Sequence, residues 1–329
     1  MLSFPVLFVQ SKRDQTIVII TAHLKQNPKI AKGIQDVIIK ILRPKGALSK
    51  EIMNTIELTL LIGLGSILAG FIGALTGLGG GIVIVPLLTL AFGVDIRYAI
   101  GASLISVIAT SSSAASTYIK EGYSNLRVGM FLEIATTIGA LSGAFLALIL
   151  APRYIAIVFG LALLQSAYSS LQNLKEPSEF KTNRLAQIFN MDSTYPISGG
   201  LRHYHVQNIP GGFLLMLIAG ALSGLLGIGS GALKVIAMDK IMKMPFKVST
   251  TTSNFMIGVT AAASAGIYLN RGYIDPGLAM PVMLGVLLGA TAGTHFLIKS
   301  KTKSLKILFS AVIFILAIEM IFNGLKGKF

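Results

Sequence analysis

The sequence predicts an all-α polytopic membrane protein built from two homologous repeats of broken and full transmembrane helices, with about eight membrane segments. Three observations predict it: charged residues are scarce, long apolar runs follow one another, and the second half of the chain matches the first. Of the 329 residues, 53% are hydrophobic and 12% are charged. A soluble domain carries about a quarter charged residues, so most of this chain lacks the charge that a water-exposed surface needs.

Apolar runs that approach or exceed the roughly 20 residues needed to cross a bilayer fill most of the chain. The runs are 56–92, 99–119, 128–150, 154–171, 212–228, 255–269, 277–298 and 305–322. Cysteine is absent, which excludes disulfides and thiolate metal sites. The net charge of +15 comes from Lys and Arg residues that flank the runs. It therefore indicates cytosolic loops and anionic lipid rather than nucleic acid.

The second half of the chain matches the first without a gap at a spacing of 150 residues. Glycines and tyrosines kept in one register over this distance are hard to explain by chance in apolar sequence, and they indicate a duplicated unit. The matching pairs include Gly70 and Gly220, Gly77 and Gly227, Gly81 and Gly231, Ser103 and Ser253, Thr110 and Thr260, Tyr118 and Tyr268, and Gly139 and Gly289.

The repeat divides the chain into four parts. A basic N-terminal extension covers residues 1–54, the first transmembrane repeat covers 55–172, an extramembrane linker covers 173–207, and the second transmembrane repeat covers 208–329. Within the extension, apolar residues recur at helical spacing over Ile30–Leu42. This pattern predicts either an amphipathic helix on the membrane surface or a packed cytosolic helix.

The orientation in the membrane stays open because two basic segments disagree. The extension indicates a cytosolic N-terminus, and Lys299, Lys301, Lys303 and Lys306 indicate a cytosolic loop. Two equal repeats of about four or five crossings place that loop on the side opposite the N-terminus.

Two glycine clusters predict interruptions in the membrane helices. They are Gly77-Leu78-Gly79-Gly80-Gly81 and Gly227-Ile228-Gly229-Ser230-Gly231. Each glycine costs up to about 1 kcal/mol in a helix interior, and a helix that restarts inside the membrane presents free N–H groups that suit an anion. The alternative is close packing of unbroken helices through small residues. No Lys-Ser or Lys-Thr pair follows, so the clusters are not phosphate-binding P-loops.

Lys234 follows the second cluster in an apolar context. A lysine inside the membrane costs roughly 2.5–3.5 kcal/mol and normally faces a cavity or a partner. Beside the interruption, it would add a full positive charge to an anion site. The alternative is a side chain that extends to the lipid headgroups. Ile84 holds the equivalent position in the first repeat, so such a site would be asymmetric.

Two hydroxyl-rich tracts hold equivalent places in the repeats. Ser103 lies in the first tract, and Thr252, Ser253 and Asn254 lie in the second. Their hydroxyls and amide can replace part of the hydration shell of an anion. The alternative is hydrogen bonding between helices.

Few ionisable residues lie inside the apolar runs. Glu133 could carry a coupling proton, although it also lies close enough to the start of its run to reach the membrane interface. The motifs of zinc proteases and serine hydrolases are absent. The sequence therefore predicts that the protein is not an enzyme, with no catalytic residues, metal site or cofactor.

The two clusters resemble the paired signatures of the sulfite exporter TauE/SafE family. The matching stretches are 73–81 with Pro86 and 223–231 with Lys234, and the resemblance extends over residues 55–325. Two departures are visible: Ser230 stands where a third glycine is common, and Ile236 replaces the proline in the second repeat. The resemblance implies a plasma-membrane permease of bacteria or archaea for sulfite, sulfonates or related organosulfur anions.

We therefore expect a secondary transporter that carries a small anion by alternating access. The substrate-binding candidates are Gly77, Gly79, Gly80, Gly81, Ser103, Gly227, Gly229, Ser230, Gly231, Lys234, Thr252, Ser253 and Asn254. The expected partners are this anion and the lipid bilayer of a prokaryotic cell membrane, which the chain crosses several times, with a homodimer also possible. A non-transporting scaffold or assembly partner and a passive anion channel are the alternatives.

Overall fold

The structure, a computed structural model, describes residues 6–10, 17–21, 55–76, 80–120, 122–171, 184–197, 200–299 and 302–328. The chain divides into two units, Met1–Glu51 and Ile52–Phe329. In the first unit, strands β1 (Val6–Gln10) and β2 (Ile17–Thr21) form an antiparallel hairpin. The helix predicted over Ile30–Leu42 lies outside the described residues.

The second unit is a helical bundle with one short hairpin. Its helices are α1 (Thr55–Thr76), α2 (Gly81–Pro86), α3 (Ile96–Lys120), α4 (Leu126–Ile149), α5 (Pro152–Leu171), α6 (Arg184–Ile188), α7 (Ile209–Leu226), α8 (Gly231–Ile236), α9 (Phe246–Asn270), α10 (Pro276–Lys299) and α11 (Thr302–Leu325). A short π-helix continues α2 over Leu87–Ala91 and α8 over Ala237–Ile241. Asn125 caps α4, because its side chain accepts from the backbone N–H of Val128.

The bounds of successive elements recur at the spacing that the sequence showed. The starts of α2, its π-helix, α3 and α4 lie 150 residues before the starts of α8, its π-helix, α9 and α10. The packing partners correspond as well, since α1 packs against α10, α7 against α4, α3 against α9, and α5 against α11. Such exchanged pairing is expected when two like halves pack against each other.

Glycines let the helices α4 and α7 touch through their backbones. A Cβ atom at Gly220 would meet the carbonyl oxygen of Thr136, and one at Gly139 would meet that of Leu217. Gly70 and Gly289 bring α1 and α10 together in the same way. These glycines, which lie outside the two clusters, therefore pack the helices closely through small residues.

The bundle has two ends. At the linker end, the Thr251 hydroxyl of α9 donates to the carbonyl of Tyr123, which follows α3. At the opposite end, Arg97 of α3 donates to the carbonyls of Ala147 and Leu150 where α4 finishes. Since these contacts fix the direction of α3, α4 and α9, successive helices run alternately between the two ends.

The pair α7 and α8 enters and leaves at the linker end. The backbone N–H of Gln207, just before α7, donates to the carbonyl of Met242, just after the π-helix of α8. The segment therefore turns back at the glycine cluster and makes no net crossing. On the other side, α1 runs parallel to α10 and begins at the opposite end, whereas α10 finishes at the linker end. The start of α1 and the end of α10 thus lie at opposite ends of the bundle, as the equal repeats predicted.

The linker contains a small folded segment. After α6, strands β3 (Ser193–Ile197) and β4 (Gly200–Tyr204) pair antiparallel, with Ser193 opposite Tyr204. The Asn125 amide donates to the Tyr204 hydroxyl at 2.7 Å and to the Met191 carbonyl at 2.9 Å. Burial raises the pKa of Tyr204 to about 12, so its phenol stays neutral at this contact. The hairpin therefore fixes the loop from which α4 begins.

By length and composition, three helices of the described chain could cross a membrane alone: Leu126–Ile149, Ile209–Leu226 and Pro276–Gly293. Shorter apolar helices occupy Glu57–Gly73, Gly81–Ala91, Ile96–Ser112 and Ser310–Leu325. An all-α architecture is confirmed for the bundle, while the count of about eight membrane segments remains a prediction.

One substitution made at two glycines tests the close packing of α4 and α7. Gly220→Ala should destabilise the protein by about 1–3 kcal/mol, because the new methyl group meets the Thr136 backbone. Gly266→Ala, on an open face of α9 with no atom within 4 Å of the new Cβ, should be neutral or stabilising, since alanine favours a helix. Thermal unfolding of the purified variants measures both effects. Equal midpoints for the two variants would contradict the proposed contact.

Candidate functional site

The predicted helix interruption is confirmed at the second cluster. Helix α7 finishes at Leu226 and α8 starts at Gly231. Between them, φ is +68° at Gly227, +71° at Gly229 and +47° at Ser230, a left-handed conformation that glycine adopts without strain. Ser230 therefore holds a conformation that would suit the third glycine of the family signature.

The first half shows the same gap between two helices. Helix α1 finishes at Thr76 and α2 starts at Gly81. Gly77 and Gly79 lie outside the residues that the structure describes. Gly80 precedes α2, and its carbonyl accepts from the backbone N–H of Ile84.

The two interruptions meet inside the bundle. A Cβ atom at Gly81 would lie 3.0 Å from the Gly227 carbonyl oxygen and 2.7 Å from the Ser103 hydroxyl. Ser103 itself donates to the Gly227 carbonyl at 2.8 Å, and Ser253 donates to the Gly231 carbonyl at 3.3 Å. Ser103 therefore satisfies a carbonyl that the end of α7 leaves free, as backbone in an apolar interior requires, while Ser253 bonds the first turn of α8.

Lys234 is fully buried, with 0% of its surface exposed. Its ammonium group donates to the Thr260 hydroxyl at 2.6 Å, and that hydroxyl lies 2.7 Å from Oε1 of Glu133. The structure thus joins Glu133 of α4, Thr260 of α9 and Lys234 of α8 into a polar triad. Because Lys234 points into the protein, a side chain that extends to the lipid headgroups is excluded in this conformation.

Glu133 is also buried, with 8% of its surface exposed. Its Oε1 faces Thr260, and Thr137 approaches the same oxygen at 3.4 Å. Its Oε2 has no hydrogen-bond partner among the residues that the structure describes. The charge of this buried carboxylate is therefore stabilised mainly by the nearby ammonium group of Lys234. An isolated charge would be costly in an apolar interior.

The triad occurs once, although the halves correspond. A shift of 150 residues places Ile84, Thr110 and Met283 at the positions of Lys234, Thr260 and Glu133. Ile84 is fully buried, and the Thr110 hydroxyl donates to the carbonyl of Ser106 within its own helix. The fold therefore packs without a buried charge pair at the corresponding positions of the other half.

A small cavity lies on another face of α8, with room for about one water molecule. Its lining includes Ser230 and Gly231 of the interruption and Gln165 and Ser166 of α5, but not Lys234. The Ser230 hydroxyl is buried and has no partner within the described part of the chain. The cavity and the polar triad therefore flank α8 without joining each other.

The hydroxyl tract of α9 divides between two roles. Thr252 accepts from the backbone N–H of Asn125 at 2.9 Å, so the structure places its hydroxyl at the loop before α4 rather than at the interruptions. Ser253 reaches the second interruption, and Asn254 is half-buried beside it. For Ser103, Thr252 and Ser253, the alternative of structural hydrogen bonding describes the observed contacts.

Three residues near the site were not predicted from the sequence: Thr260, Gln165 and Ser166. Thr260 had two signals: it matches Thr110 in the repeat, and it lies seven residues after Ser253, on the same face of α9. Gln165 and Ser166 had none, because a polar pair near the end of an apolar run is common. Within the described ranges, His, Asp and Glu form no group of three that could hold a metal ion.

Comparison with known proteins confirms the resemblance noted above. The model of the family described as sulfite exporter TauE/SafE matches residues 62–320. The probable membrane transporter protein YunE of Bacillus subtilis is 28% identical over 267 residues, which cover 79% of this chain and 96% of YunE. The probable membrane transporter protein YdhB of the same organism is 29% identical over 234 residues, or 70% of this chain and 85% of YdhB.

The similarity extends to archaea. The probable membrane transporter protein MJ0441 of Methanocaldococcus jannaschii is 24% identical over 286 residues, which cover 82% of this chain and 97% of that protein. No solved structure matches the chain at a significant level.

Thr260→Val tests the bridging role of the hydroxyl in the polar triad. The variant keeps the shape of the side chain but removes a partner of both Lys234 and Glu133, so it should cost about 1–3 kcal/mol of stability. Thr110→Val is the matched control, because that hydroxyl bonds only its own helix. Thermal unfolding in detergent measures the difference. A control as strongly destabilised as Thr260→Val would contradict the bridge.

Proposed function

The chain belongs to the sulfite exporter TauE/SafE family of membrane transporters, and we propose that it is a secondary transporter that carries a small oxyanion, sulfite or a sulfonate, by alternating access. One observation carries the proposal: a fully buried lysine, Lys234, lies directly after the point where two interrupted helices meet. A charge in such a place is costly and is kept where it binds something.

The chemistry around Lys234 favours an oxyanion. An ammonium group and hydroxyls are donors to the oxygens of sulfite or a sulfonate. Thr260 already binds Lys234, and the Ser230 hydroxyl on the neighbouring face of α8 is buried without a partner in the described residues. The cavity beside Ser230 has room for about one water molecule in this conformation and does not reach Lys234, which favours an occluded state.

The architecture favours alternating access over an open pore. The pair α1 and α2 begins at one end of the bundle and the pair α7 and α8 at the other, so the interruptions meet between the two ends. Lys234 is closed off from both ends. Rocking one half against the other about the backbone contacts of α4 with α7 would open the site to one side at a time.

The bundle surface suits a lipid bilayer. Large apolar side chains stand exposed on the outer faces of the helices, among them Leu68 at 65% on α1, Leu214 at 63% on α7 and Leu288 at 62% on α10. So many exposed leucines are unfavourable in water, whereas contact with lipid tails buries them from water. These faces support the membrane location of the proposed multi-pass permease, which we assign to the prokaryotic plasma membrane as part of the same proposal.

Flux into proteoliposomes tests the proposed transport. Vesicles that contain the purified protein should take up radiolabelled sulfite or methanesulfonate with saturation, and preloaded vesicles should show counterflow. Flux without saturation or counterflow would indicate a passive channel. Absence of flux for a panel of sulfonates, together with a stoichiometric soluble partner, would instead favour a scaffold.

Lys234→Met should reduce anion flux at low substrate concentration more than about tenfold, because loss of a buried charged partner costs at least about 1.4 kcal/mol of binding. Lys240→Met is the matched control: Lys240 is exposed on the π-helix that follows α8, and its loss should change flux less than about twofold. Initial rates in the same vesicles measure both. Equal losses would remove Lys234 from the binding site.

A further inference from the structure

We infer that the Glu133 carboxylate competes with the transported anion for Lys234, so that the anion binds together with one proton. This inference rests on the proposed transport function. It goes further because it names the coupling ion, the number of protons and the residue that carries the proton.

The geometry shows a carboxylate in the place of a substrate. The ammonium group of Lys234 reaches Oε1 of Glu133 through the Thr260 hydroxyl, over contacts of 2.6 Å and 2.7 Å. The Glu133 carboxylate thus presents an anionic oxygen to the donors that a sulfite or sulfonate oxygen would use. Without substrate, the Glu133 carboxylate therefore occupies the place of the transported anion beside Lys234.

Two anions cannot share this site at low cost. The groups of the triad are buried, and like charges at close range in an apolar interior repel strongly. When the external anion arrives, Glu133 must therefore lose its charge by taking up a proton. Its Oε2 has no hydrogen-bond partner within the described chain, so a proton added there breaks no existing bond.

No other charged group of the packed helices takes over this role within the described residues. Helix α8 contributes Lys234, and α7 contributes no titratable side chain. Helix α9 contributes Lys247 and Tyr268, which lie in its first and last turns, and the π-helix after α8 contributes Asp239 and Lys240 beyond the next turn. On α4 itself the other charged side chain is Arg127, in the first turn.

The missing second triad argues against a purely structural purpose. Where Lys234, Thr260 and Glu133 have their counterparts, the chain carries Ile84, Thr110 and Met283. The buried Ile84 fills the equivalent place without charge. Replacement of a buried ion pair by apolar side chains is often neutral or stabilising, so the pair is kept for something other than packing.

Charge balance then makes the coupling strict. In the empty state, Lys234 and the Glu133 carboxylate sum to zero. In the loaded state, Lys234 and a monovalent anion sum to zero, while Glu133 is protonated and neutral. The anion alone or the proton alone leaves one unbalanced charge in the interior, which is costly. Transport of a monovalent anion is therefore electroneutral, with one proton per anion and no bond made or broken except at the Glu133 oxygen.

Methanesulfonate is the probe for the test, because the sulfonate keeps its single negative charge between about pH 5 and pH 9, a range in which histidine side chains change charge. Its apparent affinity for the wild-type protein should fall about tenfold per pH unit once Glu133 ionises, the slope of one linked proton. In Glu133→Gln the affinity should stay at the low-pH value wherever Lys234 keeps its proton, because no carboxylate then competes for the ammonium group. At the low-pH end of the range, counterflow should persist, while accumulation driven by a proton gradient should be lost.

Glu319→Gln is the matched control, since Glu319 is exposed on α11; it should keep the wild-type pH dependence and accumulation. A variant Glu133→Gln that still accumulates methanesulfonate against its gradient at the low-pH end of the range, where Lys234 stays protonated, would overturn the inference. Two wild-type measurements stand even where that variant does not fold. A pH dye in the vesicles should record one proton per methanesulfonate, and a potassium diffusion potential should leave the rate unchanged.

These outcomes separate the two proposals. Absence of saturable flux of sulfite and methanesulfonate by the wild-type protein would remove the transport function itself. Saturable flux that moves no protons, or that responds to the membrane potential as one negative charge, would leave transport intact and remove only the role of Glu133.

Discussion

A buried positive charge needs a negative charge beside it, and this constraint organises the centre of the bundle. Lys234 lies on a short helix that begins inside the protein, where water cannot solvate its ammonium group. Glu133, held on another helix and reached through Thr260, supplies the balance. The interruptions and the buried residues around them keep this pair away from solvent, and Ser103 and Ser253 bond backbone carbonyls on the two sides of the second interruption.

The sequence alone could predict the interruptions and Lys234, because both are local signals: clustered glycines break a helix, and a lysine among apolar residues is unusual. The pairing of Lys234 with Glu133 could not be predicted, since it depends on how α4 packs against α9, and Glu133 lies 127 positions from Thr260. The role of the hydroxyl tracts could not be predicted for a similar reason. Serine and threonine in a helix serve a ligand or a neighbouring backbone with equal ease, and only the packing decides.

The halves of the bundle are interlocked rather than placed side by side. Helix α7 of the second half packs on α4 of the first, and α1 of the first packs on α10 of the second, with backbones in contact at glycines. A shift of either half therefore carries a long helix of the other with it. The small hairpin of the linker adds a fixed point, because Tyr204 and Met191 bond Asn125 at the start of α4. The proposed rocking of one half against the other would therefore move α8 relative to α4 and α9.

Connection of both halves in one chain has a consequence for the number of substrates. An assembly of two identical halves would hold either two such charge pairs, related by symmetry, or none. Because this chain carries Glu133 in one half and Lys234 in the other, and Met283 and Ile84 at the matching places, it can keep a single off-axis site. Under the proposed function, the single copy corresponds to one substrate anion per polypeptide in each transport cycle.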